Sequence, residues 1–234
     1  MNIRRHLLPF LIALPLAVQA QEVKEPFNGK DLSNWDYKAA GDRKPRWAVG
    51  KAGLSASDKK VLEVTEGAGG EMINNVTGHG QSLDIFSKNK FGDIHLEVEL
   101  MVPQGSNSGI YVMGEYEVQV LDSFGKADKE MTPGDIGAIY SAAVPKLNAA
   151  KAPGEWQKFV IDFRAPRFDA GGKKTENAKF VRVELNGKVL HENVEMNGPT
   201  PGGVTGKEAP EGPVMFQGDH GAVAYRNLKI SALK

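Results

Sequence analysis

Hydrophobic and polar residues alternate along several short segments of the chain. Residues 94–100 alternate strictly, with His95, Glu97 and Glu99 between apolar residues, and this period of two is typical of a half-buried β-strand. Asn186 and Gly187 separate two further short runs, which is the strongest local signal for a β-hairpin. Similar patterns predict strands over residues 110–113, 116–121, 136–143, 156–163, 180–185, 188–191, 214–217 and 223–230. No segment has the 3.6-residue period of an amphipathic helix longer than about two turns.

Turn-forming residues separate these strands. The chain contains 27 glycines and 13 prolines, and short strands punctuated by turns are typical of a sandwich of two antiparallel sheets. Two long loops, residues 123–135 and 196–213, have a length that usually marks a functional or disordered segment. A charged stretch, residues 164–179, is expected to leave the sheet as an excursion. The sequence therefore predicts an all-β sandwich.

The first twenty residues have the three parts of a secretory signal peptide. Two arginines precede a mostly apolar run over residues 7–18, and small residues suit cleavage after Ala20. An apolar run of about twelve residues is shorter than the roughly 20 that span a bilayer. We therefore expect residues 1–20 to be removed and residues 21–234 to form a single domain that is periplasmic or secreted.

Charge and cysteine content exclude several classes of protein. The 29 basic and 29 acidic residues give a formal net charge of zero, which argues against nucleic acid as a partner because its binding usually requires a basic face. The chain has no cysteine, so cysteine nucleophiles and thiolate metal sites are excluded. No segment after the first twenty residues is apolar enough to span a membrane.

The predicted strand over residues 116–121 carries the first candidate site. Alternation places Val118 and Val120 in the core and Glu117 and Gln119 on the other face. A carboxylate beside an amide on a rigid strand suits sugar recognition, although solvated strand faces carry the same residue types more often. A conventional glycosidase needs two carboxylates about 5–5.5 Å or 6.5–9.5 Å apart. This strand does not supply such a pair, because its next carboxylate falls on the face opposite Glu117.

A second candidate site is the glycine-containing segment over residues 216–221. Gln217, Asp219 and His220 bring an amide, a carboxylate and a titratable base within four residues. An aspartate beside a histidine can orient the ring and raise its pKa. The alternative is a turn in which Asp219 accepts backbone hydrogen bonds and His220 lies at the surface.

Other polar and aromatic residues give weaker signals. The turn-rich segment 105–109 could present Asn107 and Ser108 to sugar hydroxyls, and Tyr140 could stack on a sugar ring or fill the core. The histidines lack the spacing of a local zinc site. A structural calcium ion is possible through loop carboxylates. The candidate ligands are Asp122, Asp128 and Asp135.

Eight segments together resemble the 3-keto-disaccharide hydrolase domain family, formerly a domain of unknown function. The first is Phe-Asn-Gly-Lys-Asp-Leu-Ser-Asn-Trp, and the resemblance extends in order to the end of the chain. The segments are residues 27–35, 105–111, 116–122, 137–140, 149–156, 185–187, 212–221 and 225–230. Each segment is a weak signal alone, but eight in order are specific. One position departs from the family pattern, because Gly218 stands before Asp219 and His220 where relatives have glutamine.

The resemblance implies a concanavalin A-like jelly-roll sandwich and an enzyme that cleaves glycosides whose sugar carries a ketone at C3. Such a ketone acidifies the C2 proton, so that a base can remove it, the C1 leaving group departs by elimination, and water then adds. Either Glu117 or His220 would be the base, with Asp219 orienting His220. The residues expected to bind sugar hydroxyls are Gln119, Asn107, Ser108, Tyr140 and Gln217.

The resemblance also implies partners and leaves other functions open. The substrate would be an oxidised sugar, and separate NAD-dependent sugar oxidoreductases would carry out the oxidation and reduction steps, because this chain has no dinucleotide-binding fingerprint. The sequence itself requires no cofactor. Three alternatives are a non-catalytic, lectin-like carbohydrate-binding module, a conventional glucan hydrolase and a structural envelope protein.

Overall fold

The computed structural model describes residues 23–67 and 69–233, and the regular secondary structure of this part of the chain is almost entirely β-strand. Its fifteen strands are, in chain order, β1 (Trp35–Tyr37), β2 (Trp47–Leu54), β3 (Leu62–Glu66), β4 (Glu71–Asn74), β5 (Ile85–Ser87), β6 (Ile94–Met101), β7 (Asn107–Val112), β8 (Tyr116–Leu121), β9 (Gln157–Arg164), β10 (Arg167–Phe168), β11 (Lys174–Glu176), β12 (Ala178–Leu185), β13 (Lys188–Met196), β14 (Met215–Phe216) and β15 (Val223–Ala232). A single 3₁₀ turn, Asp128–Glu130, is the helical element of these residues.

The structure bears on the expectation about membrane-spanning segments but not on the predicted signal peptide. The predicted signal peptide, residues 1–20, lies outside the described residues. Within residues 23–67 and 69–233, no helix has the length and apolar character needed to cross a membrane.

Two antiparallel sheets form the body of the fold. The larger sheet has eight strands in the order β13-β12-β9-β6-β15-β4-β2-β3, and the smaller has five in the order β1-β5-β14-β7-β8. Hydrogen-bonded neighbours run antiparallel in both sheets. The predicted all-β jelly-roll sandwich of two antiparallel sheets is confirmed.

The hydrophobic core lies between the two sheets and follows from the alternation of apolar residues. On β6, every second residue from Ile94 to Leu100 is almost completely buried, whereas the polar residues between them are partly exposed. On β8 of the smaller sheet, Val118 and Val120 enter the same core, as predicted. Burial of these apolar faces drives the sheets together.

Stacked aromatic rings connect the sheets inside the core. Phe216 of β14 stacks on Trp35 of β1, with ring centroids 5.6 Å apart, and on Tyr225 of β15 at 3.9 Å. Trp47 of β2 also stacks on Tyr225, at 6.3 Å. Because Tyr225 belongs to the larger sheet and Phe216 to the smaller, the stack fixes β14 and the segment that follows it.

The prediction of a strand over residues 136–143 is wrong. Gly137 and Ser141 adopt positive φ angles of 78° and 62°, and an extended strand cannot continue through that backbone conformation. Pairing in the segment is limited to isolated bridges at Ile139. The segment instead forms a compact turn along the edge of β8, where the Tyr140 amide donates to the Glu117 carbonyl at 3.1 Å.

The remaining strand predictions are confirmed to within a few residues, but the five strands before residue 94 were not predicted. Asn186 and Gly187 form the expected hairpin turn, with φ angles of 53° and 76°. The charged stretch over residues 164–179 contains a small hairpin, because β10 pairs with β11 outside the two large sheets.

Phe216→Ala is expected to lower the free energy of unfolding by about 3–5 kcal/mol, because it leaves a cavity between two stacked rings. Phe124→Ala is the matched control, since Phe124 is 57 % exposed and its loss should change stability by less than about 0.5 kcal/mol. Urea unfolding followed by circular dichroism measures both. Equal stabilities of the two variants would contradict a core centred on the aromatic stack.

Candidate functional site

The face of the smaller sheet that points away from the core carries the candidate site. Glu117 and Gln119 lie on this face, opposite Tyr111 and Gly109 of β7. The backbone amide of Gln217, just after β14, donates to the Gly109 carbonyl at 2.9 Å. Gln217 therefore lies beside β7 on the same face. Glu117 and Gln119 are only 3 % and 7 % exposed. The face is therefore an enclosed polar surface and not an ordinary solvated strand.

Part of the 196–213 loop encloses this face. The Thr200 hydroxyl accepts a hydrogen bond from the Glu117 amide at 3.1 Å. The Tyr111 hydroxyl donates to the Pro201 carbonyl at 3.1 Å. These contacts hold the loop against β7 and β8 beside Glu117.

The Glu117 carboxylate occupies space that a glycine leaves open. A Cβ atom at position 109 would lie 2.2 Å from Glu117 Oε1, so alanine in place of Gly109 would displace the carboxylate. Burial raises the pKa of Glu117 to about 7, against the opposing effects of Tyr111 and His220. Near neutral pH the group therefore exists both as a carboxylic acid and as a carboxylate.

Four side-chain oxygens on this face are buried and have no hydrogen-bond partner among the described residues. They are Oε1 of Glu117, Gln119 and Gln217 and Oδ1 of Asn107. A buried acceptor without a donor costs about 1–3 kcal/mol. A ligand that brings several donors into the site, as a sugar does with its hydroxyls, would recover part of that cost.

The segment after β14 is fixed by close backbone contacts. A Cβ atom at Gly218 would lie 2.2 Å from the Leu83 carbonyl, and one at Gly221 would lie 2.4 Å from a serine hydroxyl. The buried Asn74 amide donates to the carbonyls of Gly218 and Gly221 at 2.7 and 2.8 Å. Glycine at position 218 is therefore required here, and it leaves Gln217 as the amide that faces the site.

Asp219 and His220 form a charged pair at the edge of the same face. His220 Nδ1 is hydrogen-bonded to an Asp219 carboxylate oxygen, and this bond raises the pKa of His220 despite the opposing effect of burial. Burial acts to raise the pKa of Asp219, but its contacts with His220 and Arg43 lower it overall. Arg43 Nη1 lies 3.3 Å from Asp219 Oδ2. Both residues are half-buried, and the Asp219 carboxylate contacts the side chains of His220 and Arg43.

Asp84 and Lys38 belong to the site and were missed by the sequence analysis. Asp84 is 8 % exposed and accepts a hydrogen bond from the Gly218 amide at 2.9 Å. Burial raises the pKa of Asp84. Lys38 Nζ lies 3.6 Å from the same carboxylate and donates to the Gly202 carbonyl at 2.6 Å. Both residues flank very short strands, in which no periodicity can be read.

Two of the predicted sugar-binding residues do not face the site: Ser108 points into the core, and Tyr140 lies at the border. Ser108 is completely buried on the core face of β7, where its hydroxyl donates to the Gln217 carbonyl at 2.7 Å and contacts the Tyr225 hydroxyl at 2.9 Å. We therefore correct its role from sugar binding to positioning Gln217. Tyr140 is partly exposed beside the backbone of Glu117, at the border of the site.

The aspartates considered as calcium ligands have protein partners. Asp135 is paired with Lys126 at 2.5 Å, Asp122 accepts from the Gly105 amide, and Asp128 accepts from the Asn148 amide. In residues 23–67 and 69–233, the group with metal-ligand spacing is a different one. It consists of His79, Asp219 and His220, with ligand atoms within 4.8 Å of one another.

Comparisons with known proteins agree on the kind of domain. A family model described as a 3-keto-alpha-glucoside-1,2-lyase-like domain matches residues 22–231. A solved structure of a proposed glycosyl hydrolase from Parabacteroides distasonis ATCC 8503 is 30 % identical, with a TM-score of 0.64, covering 90 % of this chain and 84 % of the other. A second proposed glycosyl hydrolase from that organism is 20 % identical, with a TM-score of 0.57, covering 91 % and 94 %; this second likeness concerns the fold. No curated protein is significantly similar to the chain.

Glu117→Gln is expected to stabilise the protein above neutral pH and to leave its stability near pH 4.5 almost unchanged. The unfolded chain releases the Glu117 proton near pH 4.5, whereas the folded protein holds it up to about pH 7. Wild-type stability therefore falls as the pH rises through this window, by on the order of 2–3 kcal/mol from this one group. Urea unfolding of both proteins at about pH 4.5 and pH 8 measures the difference. A stability difference that is the same at both pH values would show that Glu117 has an ordinary pKa.

Proposed function

Because the chain belongs to the 3-keto-alpha-glucoside-1,2-lyase-like domain family, we propose that it cleaves 3-keto-glycosides by base-assisted elimination followed by hydration. The chain is a carbohydrate-active domain of the glycoside hydrolase or lyase type. The observation that carries the finer proposal is Glu117, a buried carboxylate with a pKa of about 7 and one oxygen without a partner among the described residues. Export to the periplasm or beyond the cell, and supply of the keto-sugar by separate NAD-dependent oxidoreductases, are part of the same proposal.

Glu117 is the proposed base. A ketone at C3 acidifies the proton on C2, and a base whose pKa lies near the working pH transfers such a proton most effectively. The proton passes from C2 to Glu117, the electron pair forms the C1–C2 double bond, and the C1–O bond breaks. The leaving oxygen then takes up a proton, and water adds across the double bond to give the free 3-keto-sugar.

The Asp219–His220 pair is proposed to stabilise the negative charge that develops on the substrate. Charge develops on the C3 oxygen as the C2 proton leaves, and fixed donors or cations near that oxygen stabilise it most when they are held in place beforehand. The glycine-rich segment around the pair is fixed by Asn74 and by close backbone contacts. Within the pair, Asp219 keeps the His220 imidazole oriented.

Substrate hydroxyls are proposed to bind the unpartnered amides. Gln119, Gln217 and Asn107 each have a buried oxygen with no partner among the described residues. These oxygens would accept hydrogen bonds from hydroxyl groups around the ring. The 196–213 loop, held through Thr200 and Pro201, would keep bulk water out until elimination is complete.

Elimination fits the site better than conventional glycoside hydrolysis. Hydrolysis of an unoxidised glycoside uses two carboxylates that both face the sugar. Asp84 is already engaged by the Gly218 amide and lies near Lys38, and Asp219 is engaged by His220 and Arg43. Among the described residues, Glu117 is thus the one carboxylate of this cluster with a buried, unpartnered oxygen.

Glu117→Gln is expected to lower kcat on 3-keto-trehalose by about 10² or more, the size of a general-base contribution. The wild-type rate should rise with pH as Glu117 ionises near pH 7, and the variant should lack this dependence. Glu192→Gln is the control, because Glu192 is exposed on β13 of the larger sheet, where it pairs with Lys146. Glucose release measures turnover, and unoxidised trehalose should not be cleaved.

Two results would contradict this assignment. Wild-type turnover by Glu117→Gln would remove Glu117 as the base, and cleavage of plain trehalose would indicate conventional glycosidase chemistry. Saturable sugar binding without turnover of any keto-glycoside by the wild type would indicate the lectin-like alternative.

Gly109→Ala is expected to lower kcat/KM by about 10², because the new methyl group displaces the Glu117 carboxylate and a shift of about 1 Å can cost that much. Gly53→Ala is the matched control, since Gly53 lies on β2 and a Cβ atom added there would meet no other atom within 4 Å. Kinetics on the same keto-sugar and urea unfolding compare the two variants. Equal activities of the two would show that the space at Gly109 does not serve Glu117.

A further inference from the structure

We propose that His79, Asp219 and His220 bind a divalent first-row transition metal ion at the edge of the Glu117 site. Their ligand atoms lie within 4.8 Å of one another. The rings of His79 and His220 meet edge to face, with centroids 4.5 Å apart and an interplanar angle of 83°. Two imidazoles and one carboxylate brought together in this way are a ligand set used for such ions.

The backbone holds the three ligands in place. His79 belongs to the segment between β4 and β5, and Asp219 and His220 follow β14. The Gly80 amide donates to the Asp219 carbonyl at 2.6 Å, which joins the two segments next to the ligands. The Asn74 amide fixes the second segment from the core side. The fold therefore brings the two segments together, and the exposed His79 ring reaches the half-buried Asp219 and His220 from the neighbouring segment.

The surroundings of the cluster favour a cation. Three carboxylates, of Glu117, Asp84 and Asp219, act on His220 through their negative charge. Glu117 is only 3 % exposed, and its Oε1 has no partner among the described residues. Arg43 contacts Oδ2 of Asp219, while His220 contacts Oδ1. A metal ion would take the place of the proton shared by His220 and Asp219, with Arg43 orienting the carboxylate as outer partners of metal ligands do.

Three protein ligands leave coordination positions for water or substrate. A ketone oxygen that binds there would be polarised, and the ion would stabilise the negative charge that develops on it when Glu117 removes the adjacent proton. This catalytic role rests on the proposed function, whereas metal binding by the three residues does not. An ion held by His79, Asp219 and His220 would thus supply positive charge beside the substrate ketone.

Cobalt binding tests the site without using activity. Purified protein is stripped with a chelator and titrated with Co²⁺, whose visible absorption reports coordination by protein ligands, and Zn²⁺ is then added as a competitor. The expected result is one Co²⁺ per chain, displaced by Zn²⁺. His79→Ala should weaken binding by about 10² or more, because it removes a direct ligand and even outer partners contribute 10–100-fold.

His95→Ala is the matched control, since His95 is another solvent-accessible histidine beside carboxylates but lies on the larger sheet with Asp162 and Glu97. It should bind Co²⁺ like the wild type, and thermal melting should show that both variants are folded. Absence of Co²⁺ absorption in the wild type, or equal affinity in His79→Ala, would overturn the metal site. Full turnover of a 3-keto-glycoside by the stripped protein would overturn the ion's catalytic role while leaving the proposed function intact.

Discussion

The pairing of β7 with β8 determines the chemistry of the site, because it places Gly109 where the Glu117 carboxylate needs space. The register sets Gly109 opposite Gln119 and Tyr111 opposite Glu117. Without a side chain at position 109, the carboxylate folds back over β7, out of water, and burial raises its pKa to about 7. A carboxyl group in water would be almost fully ionised at this pH and a much weaker base.

The rest of the fold offsets the cost of that arrangement. Several polar oxygens on the site face are buried without partners among the described residues, and each such group destabilises the folded state. The opposite face of the same strands packs Val118, Val120 and Phe216 into a core shared with the eight-stranded sheet. The smaller sheet therefore has one face that stabilises the fold and one face that is destabilised in favour of a ligand, as is common where binding and stability compete.

Much of the fold could be predicted from the sequence, because alternation is a local property. It identified β6, β8 and the hairpin of β12 and β13, and it placed Glu117 and Gln119 on the face away from the core. The three-residue strands β1 and β5 are too short to show a period, so the adjacent Lys38 and Asp84 were missed. The predicted strand over residues 110–113 began too late; β7 starts at Asn107, and extending the alternation by one pair of residues would have turned Ser108 inward.

The parts of the site that were not predicted depend on contacts between distant segments. His79 approaches His220 only because two loops are joined through the Gly80 amide, and no sequence spacing reports such a meeting. The role of Gly109 likewise requires the register of two strands, and the contact between Thr200 and the Glu117 amide joins segments that are distant in the sequence. The Asp219–His220 motif was visible in the sequence because its two members are adjacent.

Solvent deuterium at C2 tests the central claim most directly. Wild-type protein is incubated with 3-keto-trehalose in D₂O, and the released 3-keto-glucose is examined by NMR against a sample without enzyme. Removal of the C2 proton by Glu117, exchange of that proton with solvent and then hydration predict deuterium at C2 of the released 3-keto-glucose. Release of 3-keto-glucose that keeps its original C2 hydrogen, at a rate that C2-deuteration of the substrate does not change, would show that the bond is cleaved without deprotonation at C2, and it would contradict the account.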